Sequence, residues 1–99
     1  MELQDKLIIL FDYYGELLTD SQKNYFIDYY FHNLTLSEIA ENNGVSKNAV
    51  SKDLKLATSK LEDFDSKLKL IDKDIKITKL IKETGNEELI EKINNILDL

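Results

Sequence analysis

Apolar residues recur at spacings of three and four along most of the chain, so the pattern predicts helix nearly throughout. Leu3, Leu7, Leu10, Tyr14 and Leu17 form a heptad-like stripe that predicts a first helix over 3–18. Ile8, Ile9 and Phe11 widen that stripe, so this helix is expected to be buried on more than one side. Gly15 either permits a close helix approach or marks fraying. A second helix over 20–31 opens with Thr19 as N-cap and with Asp20 in the first turn, where the helix dipole favours an acid. Farther on, Val50, Leu54, Ala57, Leu61, Phe64, Leu68, Ile71 and Ile75 alternate four and three, with no Gly or Pro before Gly85. Unbroken, this predicts a helix over 47–83, about 55 Å long at 1.5 Å per residue. The register passes to Ile77, Leu80 and Ile81 after Ile75, which places a bend within 72–78. Such a helix cannot bury its seam on itself. The seam needs the first helix or a second copy of the chain, and a homodimer is expected. Gly85-Asn86 supplies a C-terminal stop, after which Leu89, Ile93, Ile96 and Leu97 predict a short amphipathic helix with Glu87, Glu88 and Glu91 toward its start.

The most ordered local signals lie in 35–54, TLSEIAENNGVSKNAVSKDL. Thr35 and Glu38 have the spacing of a capping box, in which each side chain satisfies the other's backbone N–H. Leu36, Ile39 and Ala40 then share one helical face. Asn43-Gly44 ends that helix, since Gly enters the left-handed backbone region without a steric penalty. Val45 is expected to plug the core and Ser46 to cap the next helix. Val50 and Leu54 would hold that helix against the first. Ala40, Gly44, Val45 and Val50 match the small, turn and apolar positions of a helix-turn-helix, and the alternative is a plain helical hairpin without a nucleic-acid role.

Charge adds a second signal. The chain of 99 residues carries a net charge of −6, which argues against a protein that simply coats DNA. Yet 45–60 holds four lysines (Lys47, Lys52, Lys55 and Lys60) against the single acid Asp53, whereas the segments on either side are net acidic. The one basic island therefore coincides with the second helix of the motif, which points to an anionic partner.

Other chemistry is sparse. Five of the eight residues in NYFIDYYF are aromatic. Phe26, Ile27 and Tyr30 suit the core, and Tyr25 and Tyr29 share a neighbouring face. A core and helix-contact role outweighs a base-stacking platform here, because only Lys23 is near and Asp28 opposes it. His32 is the only histidine and the chain has no cysteine, so no metal site is expected. Ser37, Ser46 and Ser51 have no histidine placed to activate them, and there is no Gly-rich phosphate loop. Neither an enzyme nor a cofactor is expected. No apolar run approaches the roughly 18 residues of a membrane span, so no membrane insertion is expected. The start, MELQD, lacks the basic residues of a secretory signal, and a cytoplasmic location is expected.

The stretch 18–61 resembles region 4 of bacterial sigma factors, in which a helix with an LT..Q start precedes an EIA-type helix-turn-helix. It is more similar to the YlxM family of small bacterial helix-turn-helix proteins, through LFDYYGELLTDSQ (10–22) followed by YY…LTLSEIAENNGVSKNAVSKDLKLA. The resemblance covers about the first 70 residues. It implies a regulatory DNA-binding protein and a link to the signal recognition particle pathway, whose GTPase gene neighbours that of the family. One departure is chemical. The family commonly has arginine in the recognition helix, whereas this chain has none, and lysine lacks the fork that grips guanine.

The expected fold is thus all-α: a helix-turn-helix of the sigma region 4 or winged-helix three-helix type, with an extended C-terminal helix and a short terminal helix. The expected division is 1–60 for the helix-turn-helix with its N-terminal packing helix, and 61–99 for a coiled-coil-like tail. Ser46, Lys47, Asn48 and Ser51 are expected at the groove-facing start of the recognition helix, with Asn48 able to pair with adenine and Lys52 and Lys55 on phosphates. The partner is duplex DNA, or the RNA or protein of the signal recognition particle.

Overall fold

The computed structural model describes residues 3–97, and among them there are helices and no strand. The order is α1 (Leu3–Tyr14) with a 3-10 turn at Gly15–Leu17, α2 (Asp20–Phe26) with a π turn at Ile27–Phe31, α3 (Leu36–Asn43), α4 (Lys47–Leu68), α5 (Leu70–Glu83) and α6 (Glu87–Leu97). The chain divides into two compact units, with the boundary between Lys67 and Leu68.

The first unit owns the core. Leu7, Leu10 and Tyr14 of the predicted α1 stripe are buried, while Leu3 and Leu17 at its ends are exposed. On α4, Val50, Leu54, Ala57 and Leu61 are buried too, so this half of the seam is filled within one chain. Fully burying one such leucine or valine contributes about 1.5–3 kcal/mol. Tyr14 extends it: the phenol donates to Asp65 Oδ1 at 2.7 Å, and the ring centroid lies 6.2 Å from that of Phe64.

Aromatic packing fixes α1 against α2. Phe11 stacks on Phe26 at 4.4 Å and nearly parallel, and Phe26 meets Tyr30 at 4.5 Å. Gly15 is what allows the stack, because a Cβ there would lie 2.9 Å from the Phe11 ring. The close neighbour of Gly15 is thus a ring of its own helix, and the α-helix gives way to the 3-10 turn at the same residue. The core role expected for the aromatic helix is met by Phe26 and Tyr25, whereas Tyr29 and Phe31 remain exposed. Burial, and then the neighbouring Tyr29, hold the Tyr30 phenol above its ordinary value of 10.0.

The N-caps predicted at Thr19 and Thr35 are formed. Thr19 and Gln22 complete a capping box at α2, and Thr35 and Glu38 complete one at α3. Gln22 does more than cap. Buried to 5% exposure, its Oε1 accepts from Thr19 N–H at 3.2 Å and from Lys60 Nζ at 3.2 Å, so one oxygen ties the start of α2 to α4.

Three details differ from the sequence expectation. The helix predicted over 20–31 widens at Ile27, where His32 N–H reaches Ile27 O at 3.1 Å; Asn33, at φ 56°, then takes the left-handed conformation that its short polar side chain tolerates. Val45 does not plug the core and is 41% exposed. Its contribution is through the backbone: with Gly44 at φ 65°, Val45 N–H closes the turn onto Ala40 O at 3.0 Å, which is the Schellman arrangement. Finally, the long helix is interrupted at Lys69, whose φ of 54° is left-handed, before the 72–78 segment where a bend was expected. Leu61 is the last fully buried seam residue, and Leu68 beyond it is exposed, so no packing holds the helix to its course there.

The second unit is the α5 and α6 pair, whose helices contact one another. Gly85, at φ 67°, turns the chain between them, and the Asn86 side chain caps α6 by accepting from Leu89 N–H at 3.0 Å. Ion pairs of Asp72 with Lys76 at 2.8 Å and Glu88 with Lys92 at 3.0 Å have the favourable order, acid first, for four-residue spacing. The Lys76 ammonium is held above its usual range by its hydrogen bond to Asp72 and by that charge. No described residue of α5 or α6 is buried, and Leu70, Ile75, Ile77, Leu80, Leu89 and Ile96 are exposed.

Candidate nucleic-acid interface

The candidate interface begins at the turn between α3 and α4. Ser46 caps α4, with its Oγ accepting from Ala49 N–H at 3.1 Å. From that cap, Asn48, Ser51, Lys52 and Lys55 follow at the offsets 0, 3, 4 and 7, which place them on one helical face. Val50, Leu54, Ala57 and Leu61 are buried on the opposite side of the same helix. The seam thus decides what is presented: anchoring the apolar side leaves the polar side facing outward. Ser46, Lys47, Asn48, Lys52 and Lys55 are exposed and Ser51 is half-buried.

Asn48, Ser51, Lys52 and Lys55, together with Leu56, line one shallow cleft of about 410 Å³. Lys47 lies apart from these and lines a second cleft of about 400 Å³. Among the described residues no carboxylate lines either one. A third cleft, on α1, is bordered by Asp12 and Glu16 and so repels an anion. The charge of the clefts therefore follows the uneven charge of the sequence.

The lysines differ in how they are used. Lys23, Lys67, Lys76 and Lys92 are paired with carboxylates. Lys60, the fourth cation of the basic island, donates to Gln22 and serves packing. Among the described residues, the ammonium groups of Lys47, Lys52 and Lys55 have neither an ion pair nor a hydrogen bond. Lys6, Lys69, Lys73, Lys79 and Lys82 are likewise unpaired among the described residues, and Lys47, Lys52 and Lys55 differ from them in lining clefts without a described carboxylate.

Leu56 was not singled out by the sequence. It is 44% exposed beside Lys52 and Lys55, where an apolar side chain can meet a thymine methyl. Its signal was negative, since it lies off the buried seam. Among the described residues no group of three or more histidines, cysteines or acids could hold a metal, and no helix is long and apolar enough to cross a membrane.

Comparison with known proteins agrees with this architecture. The family model described as "Putative helix-turn-helix protein, YlxM / p13 like" matches residues 1–98. A UPF0122 protein of Malacoplasma penetrans is 40% identical over 88 residues, covering 89% of this chain and 82% of the relative. One of Clostridium perfringens is 39% identical over 103 aligned positions, covering 99% and 92%. Another, of Shouchella clausii, is 34% identical over 93 positions, covering 90% and 85%. With a helix-turn-helix at 36–68 and matches spanning nearly the whole chain, this protein belongs to the YlxM/p13-like UPF0122 family.

Proposed function

We propose that the chain is a cytoplasmic DNA-binding regulator that sets α4 into the major groove of duplex DNA. The observation that carries this reading is the exposed face of α4 that sets Asn48 and Ser51 beside Lys52 and Lys55, with Lys47 at its head, at clefts without a described carboxylate in a chain of net charge −6. Asn48 and Ser51, with Ser46 at the cap, face base edges, and Asn48 can offer adenine a bidentate pair, while Lys47, apart from them at the head of the helix, meets phosphate. Lys52 and Lys55 hold phosphates and fix the register. The role is binding rather than catalysis. The division expected at residue 60 moves to the boundary of the compact units: the first unit, up to Lys67, is the reading domain, and the second, from Leu68, is the element through which two copies associate.

Salt dependence tests it. Replacing Lys52 and Lys55 together by alanine should weaken duplex binding and reduce the slope of log affinity against log salt by about two, one for each phosphate that is no longer neutralised. A gel-shift titration at several salt concentrations measures this. Duplex binding that the double variant leaves unchanged would sink the reading.

A second reading follows from the absence of arginine. Three point charges grip backbone phosphate better than they discriminate bases, so the same face suits the RNA of the signal recognition particle, with the protein modulating that particle without sequence-specific DNA contact. Competition between duplex DNA and particle RNA in the same titration separates the two.

A further inference from the structure

We propose that the cleft between the end of α2 and the start of α3 takes one unpaired nucleotide from a loop or single strand of nucleic acid. This goes beyond duplex reading, because it concerns another site and a ligand form that a closed duplex does not offer.

The cleft brings together residues from distant parts of the chain: Gln4 on α1, Tyr29 and Asn33 at the end of α2, Leu36 and Ser37 on α3, and Lys47 at the head of α4. At about 400 Å³ it falls within the range of roughly 300–1,000 Å³ usual for small-ligand pockets. Its chemistry matches the parts of a nucleotide. Tyr29 is 38% exposed and packs perpendicular to the Tyr30 ring at 5.0 Å, and its aromatic ring is the group in the cleft on which a base can stack. Lys47 supplies the cation for the adjoining phosphate. Gln4, Asn33 and Ser37 offer amide and hydroxyl groups to base edges, and none of their side chains has another hydrogen-bond partner among the described residues.

A stacking aromatic beside an unpaired cation is the combination by which single strands are held. The sequence suggested that the aromatic helix lacks nearby cations, because only Lys23 is close along the chain. Folding corrects this by delivering Lys47 from α4. The π turn is part of the same arrangement. It runs through Ile27–Phe31, and in it Tyr30 is half-buried while Tyr29 is exposed.

Tyr29 discriminates this site from a phosphate contact alone. A closed duplex resting at α3 would use Lys47 and leave Tyr29 idle, whereas an unpaired base needs the ring. The test is fluorescence anisotropy on the full chain with hairpins that carry an unpaired loop, in RNA and in DNA, beside a blunt duplex of the stem sequence. Tyr29→Ala should weaken loop binding roughly tenfold, as expected for loss of one base–aromatic stack, and leave blunt-duplex binding unchanged. Tyr29→Phe keeps the ring and should bind the loop like the parent chain. An unchanged melting curve for both variants separates the effect from misfolding. The effect in either the RNA or the DNA hairpin supports the site and identifies the source of the nucleotide. The proposal is overturned if the parent chain binds neither looped hairpin, if Tyr29→Ala leaves loop binding intact, if it weakens loop and duplex equally, or if Tyr29→Phe loses as much as alanine. Because Lys52 and Lys55 are untouched, loss of the duplex reading shows separately in the blunt-duplex arm.

Discussion

At the scale of single residues, several positions matter through what they exclude or join. Gly15 is held free of a Cβ by the Phe11 ring, which is itself pinned on Phe26. Gly15→Ala should therefore destabilise the protein by about 1–3 kcal/mol, the usual cost of overpacking, despite alanine's better helix propensity. Urea unfolding measures this, and shrinking the obstacle in a Gly15→Ala, Phe11→Leu double variant should recover part of the loss. Gln22 is a different case. Its one oxygen accepts both a cap N–H and Lys60, so it joins a helix start, whose Thr19 cap was legible, to α4, a link that was not. The same contrast runs through the candidate interface. Placement of Asn48, Ser51, Lys52 and Lys55 on one face followed from helical period alone, because period is local. The diversion of Lys60 and the meeting of Tyr29 with Lys47 depend on folding, which joins residues far apart in sequence.

At the scale of elements, local grammar set most boundaries. The cap at Thr19, the capping box at Thr35 and the left-handed Gly44 lie where the sequence announced them, and Gln22 completes a second box at Thr19. Such signals are readable because each is completed within four residues. The Thr35 box also has a measurable weight. Thr35→Ala removes the oxygen that accepts Glu38 N–H at 3.1 Å, and it should cost about 1 kcal/mol, read as a lower midpoint in thermal or urea unfolding. Glu38→Ala removes the reciprocal bond to Thr35 N–H and should act in the same direction, with the double variant less than additive because the pair is one motif. Two breaks had no such grammar. Neither the π turn at Ile27 nor the left-handed Lys69 carries a glycine or proline, and a lysine is a poor advertisement for positive φ. The heptad pattern runs through Lys69 unaltered, so periodicity alone could not show where the packing partner runs out.

At the scale of the whole molecule, the all-α fold and its helix-turn-helix were legible, and the family comparison stands with them. The seam is the part whose answer is divided. Val50 to Leu61 is filled within the chain, while Leu68, Leu70, Ile75 and Leu80 remain outside any core. Such a series of exposed apolar side chains favours association, so the homodimer proposed for the tail should show as a concentration-dependent mass in light scattering, with Ile75→Lys, Leu80→Lys shifting it toward the monomer. A mass that stays monomeric at high concentration counts against that role.

The uneven burial of the two units has a kinetic side. Backbone amides exchange with solvent deuterium through openings whose free energy depends on how much packing must be broken. Amides of α1 and of α4 up to Leu61 are locked by core side chains and should exchange only through global unfolding. Those of α5 and α6 have no buried side chain to hold them and should exchange through small local openings. Their protection should then rise as protein concentration rises, since only association can close what one chain leaves open. The tail would thus record, in its own exchange rate, whether the molecule has found its partner.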